Sequence, residues 1–235
     1  YGNDYANTLE GNLGSDTLVD IENVLGSSLA DTIRGNSNAN TLKGGAGNDT
    51  FNFSNALGES TGDYIDGGSQ LNGARGNETV DYSALGTTES VNISLNDTAV
   101  ANVTLSGTAN HHKIIDIENI IGTQGTDTIQ GDSSNNTLDG FSGTHDTLSY
   151  SNSSNGVYVN LGSQVTIDIS GDNITDEIDA NTAKGVINNS EIGVDTIRNF
   201  DDVIAGIGKD TIVGNAGDNT LDGGNGDDLL LGGDG

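Results

Sequence analysis

Single apolar residues recur every nine positions in several stretches of the chain, and glycines precede each of them. In residues 205–235 these apolar positions are Ile212, Leu221 and Leu230. A helix cannot keep this period, because nine is not a multiple of 3.6 and each glycine costs a helix about 1 kcal/mol. The pattern instead predicts a six-residue turn followed by a three-residue strand, whose middle residue points inward. Two such nonamers would form one coil of a flattened right-handed spiral.

The clearest nonamers have glycine at the first, second and fourth places and aspartate at the sixth. Residues 44–52 read Gly-Gly-Ala-Gly-Asn-Asp-Thr-Phe-Asn, and residues 223–231 follow the same rule. This pattern resembles the glycine-rich nonapeptide of RTX proteins, G-G-x-G-x-D-x-U-x. The resemblance implies an all-β fold, a right-handed parallel β-roll or β-solenoid with inserted β-strand linker segments. It also implies export in an unfolded, calcium-free state, followed by folding outside the cell.

The nonamers occur in three blocks that are separated by segments of different pattern. In the first separating segment, Val91, Ile93 and Leu95 alternate with polar residues, which predicts a half-buried strand. In the second, Val157, Val159 and Leu161 repeat that alternation, and a polar insertion follows from Ser163 to Ser190. These boundaries predict one elongated array of five parts: residues 1–52, 116–148 and 205–235 as repeat blocks, and residues 53–115 and 149–204 as linker β segments.

Composition leaves little material for an ordinary hydrophobic core. Only 32% of the 235 residues are apolar, and the chain has no Cys, Trp, Met or Pro. Seven basic residues face 35 acidic ones, for a net charge of −28. This charge excludes a nucleic-acid partner, which needs a basic face, and makes multivalent cations the natural partner. No apolar run approaches the roughly 18 residues of a membrane span, so no membrane insertion is expected.

The sixth places of the nonamers carry oxygen side chains of the kind that calcium prefers. In each block they read Asp, Asn, Asp, and the resemblance implies that each ion lies between turns of successive coils. The sequence therefore predicts one strong Ca²⁺ site per block, with neutral amides on the opposite edge. The predicted carboxylate pairs are Asp31 with Asp49, Asp127 with Asp146, and Asp210 with Asp228.

Backbone carbonyls exposed by the glycine turns complete the predicted ligand sets. They belong to Gly26, Ser28, Gly45 and Gly47 in the first block, Gly122, Gln124 and Gly143 in the second, and Ile207, Gly224 and Gly226 in the third. Asp16 could begin a fourth site. Taken singly, an aspartate in a glycine-rich turn is more often a turn former than a ligand. Its recurrence at one place across three blocks favours calcium.

No catalytic motif accompanies these repeats. The histidines, at positions 111, 112 and 145, are scattered, and neither Gly-x-Ser-x-Gly nor His-Glu-x-x-His occurs. The chain is therefore predicted not to be an enzyme.

Two functions fit this sequence. The first is a structural or adhesive segment of a secreted bacterial surface protein: a stalk, surface layer or self-assembling filament. The chain begins and stops within repeats, which predicts either a piece of a longer array or head-to-tail self-association. Cell-surface or matrix polymers are the other expected partners. The alternative is a calcium-dependent folding or secretion domain of a secreted enzyme such as a protease or lipase. An extracellular, cell-surface location is expected in the first case.

Overall fold

The short strands of the protein bury one residue in two, as strands at the face of a thin core must. In the strand Thr32–Arg34, Ile33 is fully buried whereas its two neighbours are half-buried. The computed structural model describes residues 8–10, 17–19, 23–36, 38–54, 62–68, 76–106, 111–167, 176–186 and 191–235. Within these ranges every regular element is a strand. None of the described residues forms a helix long and apolar enough to cross a membrane.

The chain divides into two compact units, residues 1–125 and residues 126–235. The strands of unit 1 are β1 Thr8–Glu10, β2 Thr17–Val19, β3 Asn23–Leu25, β4 Thr32–Arg34, β5 Thr41–Lys43, β6 Thr50–Ser54, β7 Tyr64–Asp66, β8 Thr79–Ala84, β9 Val91–Ser94, β10 Ala101–Leu105, β11 His111–Ile115 and β12 Asn119–Ile121. Those of unit 2 are β13 Thr128–Gln130, β14 Thr137–Asp139, β15 Thr147–Ser149, β16 Val157–Asn160, β17 Val165–Ile167, β18 Asp176–Ile178, β19 Thr182–Gly185, β20 Val194–Arg198, β21 Asp202–Ile204, β22 Thr211–Val213, β23 Leu221–Asp222 and β24 Leu229–Leu231. The division into five parts stays a prediction.

Alternate strands of unit 1 stack into two parallel layers, as the nonamer period predicts. One layer runs β1-β3-β5-β7-β11 and the other β2-β4-β6-β8-β12. The middle residues of the strands are in register, so that Val24, Leu42 and Ile65 lie over one another in the first layer. Ile33, Phe51 and Val80 do the same in the second. All six side chains are buried and form the thin core between the layers.

The first linker segment joins the same layers rather than forming a body of its own. Strand β11 pairs in parallel with β7, and β10 and β9 then add antiparallel strands to that layer. Val91 and Ile93 face the core at 1% exposure, which confirms the alternating strand that the sequence predicted. The linker therefore extends the roll with longer, antiparallel strands.

An aromatic cluster fills the core where the linker begins. The rings of Phe53 and Tyr82 stack with centroids 5.0 Å apart, and the ring of His112 lies 4.6 Å from Phe53. The Tyr82 hydroxyl and His112 Nδ1 share a hydrogen bond of 3.2 Å. Burial lowers the pKa of His112 to about 4, so the imidazole is neutral in the folded protein.

This neutral imidazole should give the protein an acid-sensitive component of stability. Its pKa in the fold lies below the unfolded value of about 6.5, so acid protonates the unfolded chain first. Stability is therefore lost as pH falls from about 6.5 towards 4, by about 3 kcal/mol. The difference in unfolding free energy between the wild type and His112→Phe, measured by denaturant titration at each pH, isolates this component. A difference that stays constant with pH would contradict a neutral, buried His112.

Unit 2 repeats the arrangement with a different linker. Strands β13-β15-β21-β23 form one parallel series, with Ile129, Leu148 and Val203 in register and fully buried. The other series runs β14-β20-β19-β16-β22-β24 and is antiparallel only around β19. Strands β17 and β18, from the polar insertion, pair with each other as a separate antiparallel hairpin. Repeats and linker again share the same layers.

Candidate calcium sites

The sixth-place side chain of a nonamer closes its own turn. Its oxygen accepts a hydrogen bond from the backbone amide of the second-place residue, as between Ser27 and Asp31 at 2.6 Å. Asn40 and Asn219 accept the same bond, at 2.9 Å, from Asn36 and Asn215. This local role suits Asp and Asn equally, since each offers one acceptor at the right reach. Turn formation therefore explains why the sixth-place side chain carries an oxygen. It does not explain why that side chain is Asp rather than Asn at some repeats.

The sixth-place aspartates also make a contact between coils. Asp49 Oδ1 accepts a hydrogen bond of 2.8 Å from the backbone amide of Asp31, one coil away. The same contact joins Asp146 Oδ1 to the Asp127 amide at 2.8 Å, and Asp228 Oδ1 to the Asp210 amide at 3.0 Å. The structure thus brings together each of the three predicted carboxylate pairs. The second pair tolerates the extra residue near His145, which adopts a positive φ of 64°.

Within these pairs, two carboxylate oxygens are buried without a hydrogen-bond partner among the described residues: Asp49 Oδ2 and Asp210 Oδ2. Burial raises the pKa of Asp49 to about 6 and that of Asp146 to about 7, and also raises the pKa of Asp210. Burial disfavours a charge unless an opposite charge is near. No described Lys or Arg forms an ion pair with these aspartates. A cation from solution would therefore stabilise their ionised forms.

The backbones of stacked turns pack closely against each other at the predicted glycines. A Cβ on Gly45 would lie 2.3 Å from the Ser27 carbonyl oxygen, and one on Gly224 would lie 2.2 Å from that of Gly206. Both glycines also adopt positive φ, of 108° and 74°. Only glycine meets both conditions. The turns are therefore held close enough for one ion to contact oxygens of two coils.

The remaining predicted residues have the following places. Gly26 and Gly122 are buried, and Gln124 is half-buried with its side-chain amide donating to the Ser83 carbonyl at 3.4 Å. Gly47 and Gly226 adopt positive φ in stacked turns, whereas Ser28, Gly143 and Ile207 lie on the exposed side of theirs. Gly122 and Gln124 belong to unit 1, while Asp127, Gly143 and Asp146 belong to unit 2. Asp16 lies outside the described residues.

The chemistry of these donors fits calcium. No group of three or more His, Cys, Asp or Glu side chains that could hold a metal occurs in the described part of the chain. Each pair therefore supplies two carboxylates, and backbone carbonyls must supply the rest. Such a set of hard oxygens suits Ca²⁺, which accepts six to eight ligands in flexible geometry. The individual ligand assignments remain predictions.

Three carboxylates at the same kind of position were missed by the sequence reasoning: Asp63, Asp195 and Glu118, whose Oε2 accepts from the Glu78 amide at 2.9 Å. Asp63 Oδ1 accepts from the Asn40 amide at 2.8 Å, and Asp195 Oδ1 accepts from the Asn136 amide at 2.9 Å. In the first two blocks the edge that was expected to be purely amide therefore also carries a carboxylate. A signal was present for Asp195, because Asp195-Thr196-Ile197 repeats the triplet that begins at Asp31, Asp127 and Asp210.

At Asp195 the second carboxylate oxygen accepts a hydrogen bond from a tyrosine. The Tyr150 hydroxyl donates to Asp195 Oδ2 at 2.5 Å, and both side chains are fully buried. Burial raises the pKa of Asp195 to about 7, although the hydrogen bonds from Tyr150 and from the Asn136 amide act against this. Burial and Asp195 also raise the pKa of Tyr150 well above its ordinary value. A hydroxyl thus satisfies the second carboxylate oxygen of Asp195, whereas Asp49 Oδ2 and Asp210 Oδ2 are buried without a hydrogen-bond partner among the described residues.

Replacing this hydroxyl should destabilise the protein whether or not calcium is present. Tyr150→Phe leaves Asp195 Oδ2 buried without a donor, which costs about 1–3 kcal/mol of unfolding free energy. Denaturant titration in saturating calcium measures the loss. Tyr64→Phe, at a half-buried tyrosine, is the matched control and should change stability by a few tenths of a kcal/mol. If Tyr150→Phe loses no more unfolding free energy than the control, the hydrogen bond does not contribute to stability.

Stacked parallel turns that present paired aspartates and carbonyls define a calcium-binding β-roll. Four segments match the family model of the RTX calcium-binding nonapeptide repeat: residues 1–19, 25–55, 117–144 and 201–235. The chain therefore belongs to the proteins built from RTX calcium-binding nonapeptide repeats. A search of curated proteins finds no significant match to it.

Membership of this family establishes the general function of the chain. RTX nonapeptide repeats bind Ca²⁺, and proteins that carry them are typically exported by type I secretion. The chain is a calcium-binding repeat domain of a secreted protein. Its repeats are a structural motif and not a catalytic one.

Proposed function

We propose that the chain is a calcium-folded structural or adhesive segment of a secreted bacterial surface protein, such as a stalk, a surface layer or an extracellular filament. The observation that carries this proposal is the stacked aspartate pair, which recurs in both units. In each pair a carboxylate of one coil contacts the backbone of the coil before it. An ion bound there would join successive coils directly, so binding calcium and stiffening the roll would be one event.

The linker segments support a structural role as well. Strand β7 of the first linker pairs in parallel with the repeat strand β5, and β16 of the second pairs in parallel with the repeat strand β22. A short export tag would need only the nonamers. Here more than half of each linker's described strands extend the repeat layers, which favours a continuous load-bearing element.

Calcium would supply positive charge to this fold, and the chain's own residues would place it. The sixth-place aspartates are held by backbone amides of the neighbouring coil, so their positions depend on correct stacking. In calcium-poor surroundings the 35 acidic residues would repel one another. Folding would therefore wait until the chain reaches the calcium-rich exterior, where copies of the chain or cell-surface and matrix polymers are available as partners.

Sedimentation velocity and negative-stain imaging of the full chain test the structural role. We expect concentration-dependent assembly into filaments or sheets in about 1 mM calcium, and none in chelator or in magnesium at the same concentration. Addition of isolated cell-surface or matrix polymer to the calcium-loaded chain tests the adhesive form of the proposal by cosedimentation. Monodisperse particles that bind no polymer at any concentration would favour the alternative, a folding or secretion domain of an enzyme.

A further inference from the structure

A loop of the second linker, residues 152–157, stacks on the first turn of the third repeat block. The Ile207 amide of that turn donates to the Ser153 carbonyl at 2.9 Å. The strands that follow the loop and the turn, β16 and β22, pair in parallel and in register, so Val157 lies opposite Asp210. The loop therefore takes the place of the coil before Asp210, although it lies outside the four segments that match the nonapeptide family.

This loop lacks the side chain that closes a repeat turn. In a nonamer the sixth-place Asp or Asn accepts a hydrogen bond from the amide of the second-place residue, as Asp31 does from Ser27. Val157 stands at the corresponding place of the loop, and its side chain has no oxygen. A protein acceptor for the amides of the loop must therefore come from another segment of the chain.

Glu191, which lies 36 residues after Asn155, supplies that acceptor. Its Oε2 accepts from the Ser154 amide at 2.8 Å, the Asn155 amide at 3.1 Å and the Ser153 hydroxyl at 2.8 Å. Its Oε1 accepts from the Ser154 hydroxyl and from the Asn155 side-chain amide. These hydrogen bonds, that of the Ser154 hydroxyl above all, lower the pKa of Glu191 to about 2. One carboxylate thus holds three consecutive residues of the loop.

The loop in turn holds Asp210, which belongs to the third predicted calcium pair. The Val157 amide donates to Asp210 Oδ1 at 2.6 Å. On the other side, the Asp210 amide donates to Asp228 Oδ1 at 3.0 Å. Asp210 Oδ2 is buried and has no hydrogen-bond partner among the described residues. By fixing one oxygen of this carboxylate, the loop also decides where the other oxygen points.

We propose that Glu191 is a positioning residue for the calcium site of Asp210 and Asp228. It closes the loop of residues 152–157, and the closed loop holds Asp210 in the orientation that binds the ion. Both oxygens of Glu191 accept from the loop, so this residue acts through Asp210 and does not bind the ion itself. The inference rests on the proposed function, a calcium-folded segment. It adds that calcium binding in the third block depends on a glutamate of the linker.

Such a coupling acts in both directions. If the closed loop raises the calcium affinity of the third pair, then bound calcium favours the closed loop by the same factor. Couplings between two sites commonly change an affinity by about 5- to 150-fold. The pair of Asp31 and Asp49 lies in the other compact unit, so the loss of Glu191 should leave its calcium affinity unchanged.

Isothermal calcium titration of the full chain, combined with amide hydrogen exchange followed peptide by peptide, tests this coupling. Glu191→Ala should bind one ion at least about fivefold more weakly than the wild type. Exchange should report the weaker binding in residues 205–213, whereas residues 26–34 should keep the wild-type calcium midpoint. Glu191→Gln keeps one acceptor oxygen and should fall between the two. Glu177→Ala, at an exposed glutamate of the same linker, is the matched control and should keep the wild-type affinity.

The reverse direction gives a measurement that a merely structural role of Glu191 would not move. Asp228→Asn keeps an oxygen for the Asp210 amide and removes the charge, so it should weaken calcium binding without touching the loop. In about 1 mM calcium, the amides of Ser154 and Asn155 should then exchange at least about fivefold faster than in the wild type.

The outcomes separate this coupling from the proposed function. Wild-type calcium affinity at residues 205–213 in Glu191→Ala would overturn the coupling, as would unchanged exchange of the loop amides in Asp228→Asn. If circular dichroism shows that Glu191→Ala does not fold in calcium, the exchange measurement on Asp228→Asn decides. A wild-type chain whose dichroism and exchange do not respond to chelator would instead overturn the proposed calcium-dependent folding.

Discussion

Removing calcium should unfold most of the β-structure of this protein. A chain of net charge −28 with only 32% apolar residues has little cohesion of its own. If each predicted pair binds Ca²⁺ with Kd on the order of 10⁻⁴ M, about 1 mM calcium contributes about 1.4 kcal/mol per site. The three pairs together contribute roughly 4 kcal/mol, which approaches the whole stability of a small domain. Calcium then decides between the folded and unfolded states.

Far-ultraviolet circular dichroism during a calcium titration measures this effect. We expect little β-structure in chelator and a cooperative gain as calcium is added. Magnesium at the same concentration is the control, and it should not substitute, because it requires near-octahedral geometry and dehydrates reluctantly. A spectrum unchanged by chelator would show that the core alone suffices to fold the chain.

Substitution of Asp49 should weaken calcium-dependent folding far more than substitution of Asn40. Asn40 closes its own turn by accepting from the Asn36 amide, so Asn40→Ala costs about 1 kcal/mol and removes no ion. Asp49→Ala removes a buried carboxylate that contacts the neighbouring coil and has one oxygen without a hydrogen-bond partner among the described residues. It should therefore reduce the number of ions bound, and lose at least about 1.4 kcal/mol of calcium-dependent stability at about 1 mM calcium.

A calcium titration of both variants, followed by dichroism and by ion counting, separates the two effects. Asn40→Ala should keep the wild-type number of ions, with a modest shift of midpoint. Equal losses of bound calcium in the two variants would mean that both edges of the roll bind calcium. In that case Asp63, whose carboxylate accepts from the Asn40 amide, would supply the charge on the second edge.

The spacing of residues along the chain was enough to predict the repeat part of this fold. Turn and strand lie within one nonamer, and stacking partners are eighteen residues apart, as Asp31 and Asp49 are, or nineteen where one residue is inserted, as between Asp127 and Asp146. Because the eighth place alone is apolar, only one register buries it. The three aspartate pairs and the alternating strand at Val91 and Ile93 follow from such local rules.

The contacts across the insertions could not be predicted in the same way. Asp63 meets Asn40 at a separation of 23 residues, Asp195 meets Asn136 at 59, and Tyr150 meets Asp195 at 45. Insertions of different length break the constant spacing, and the cost of closing a loop changes only slowly with its length. Spacing therefore no longer identifies the partner.

The sequence by itself determined that glycine turns and single inward residues repeat into a parallel roll with acidic turns. Only the tertiary structure decided which carboxylates meet an amide, a hydroxyl or another acceptor in the next coil. The physical reason is that a repeat fixes the path of its own backbone through local sterics. After an insertion, strand register and core packing decide which side chain faces the backbone of the repeat. Both involve residues that are distant in the chain.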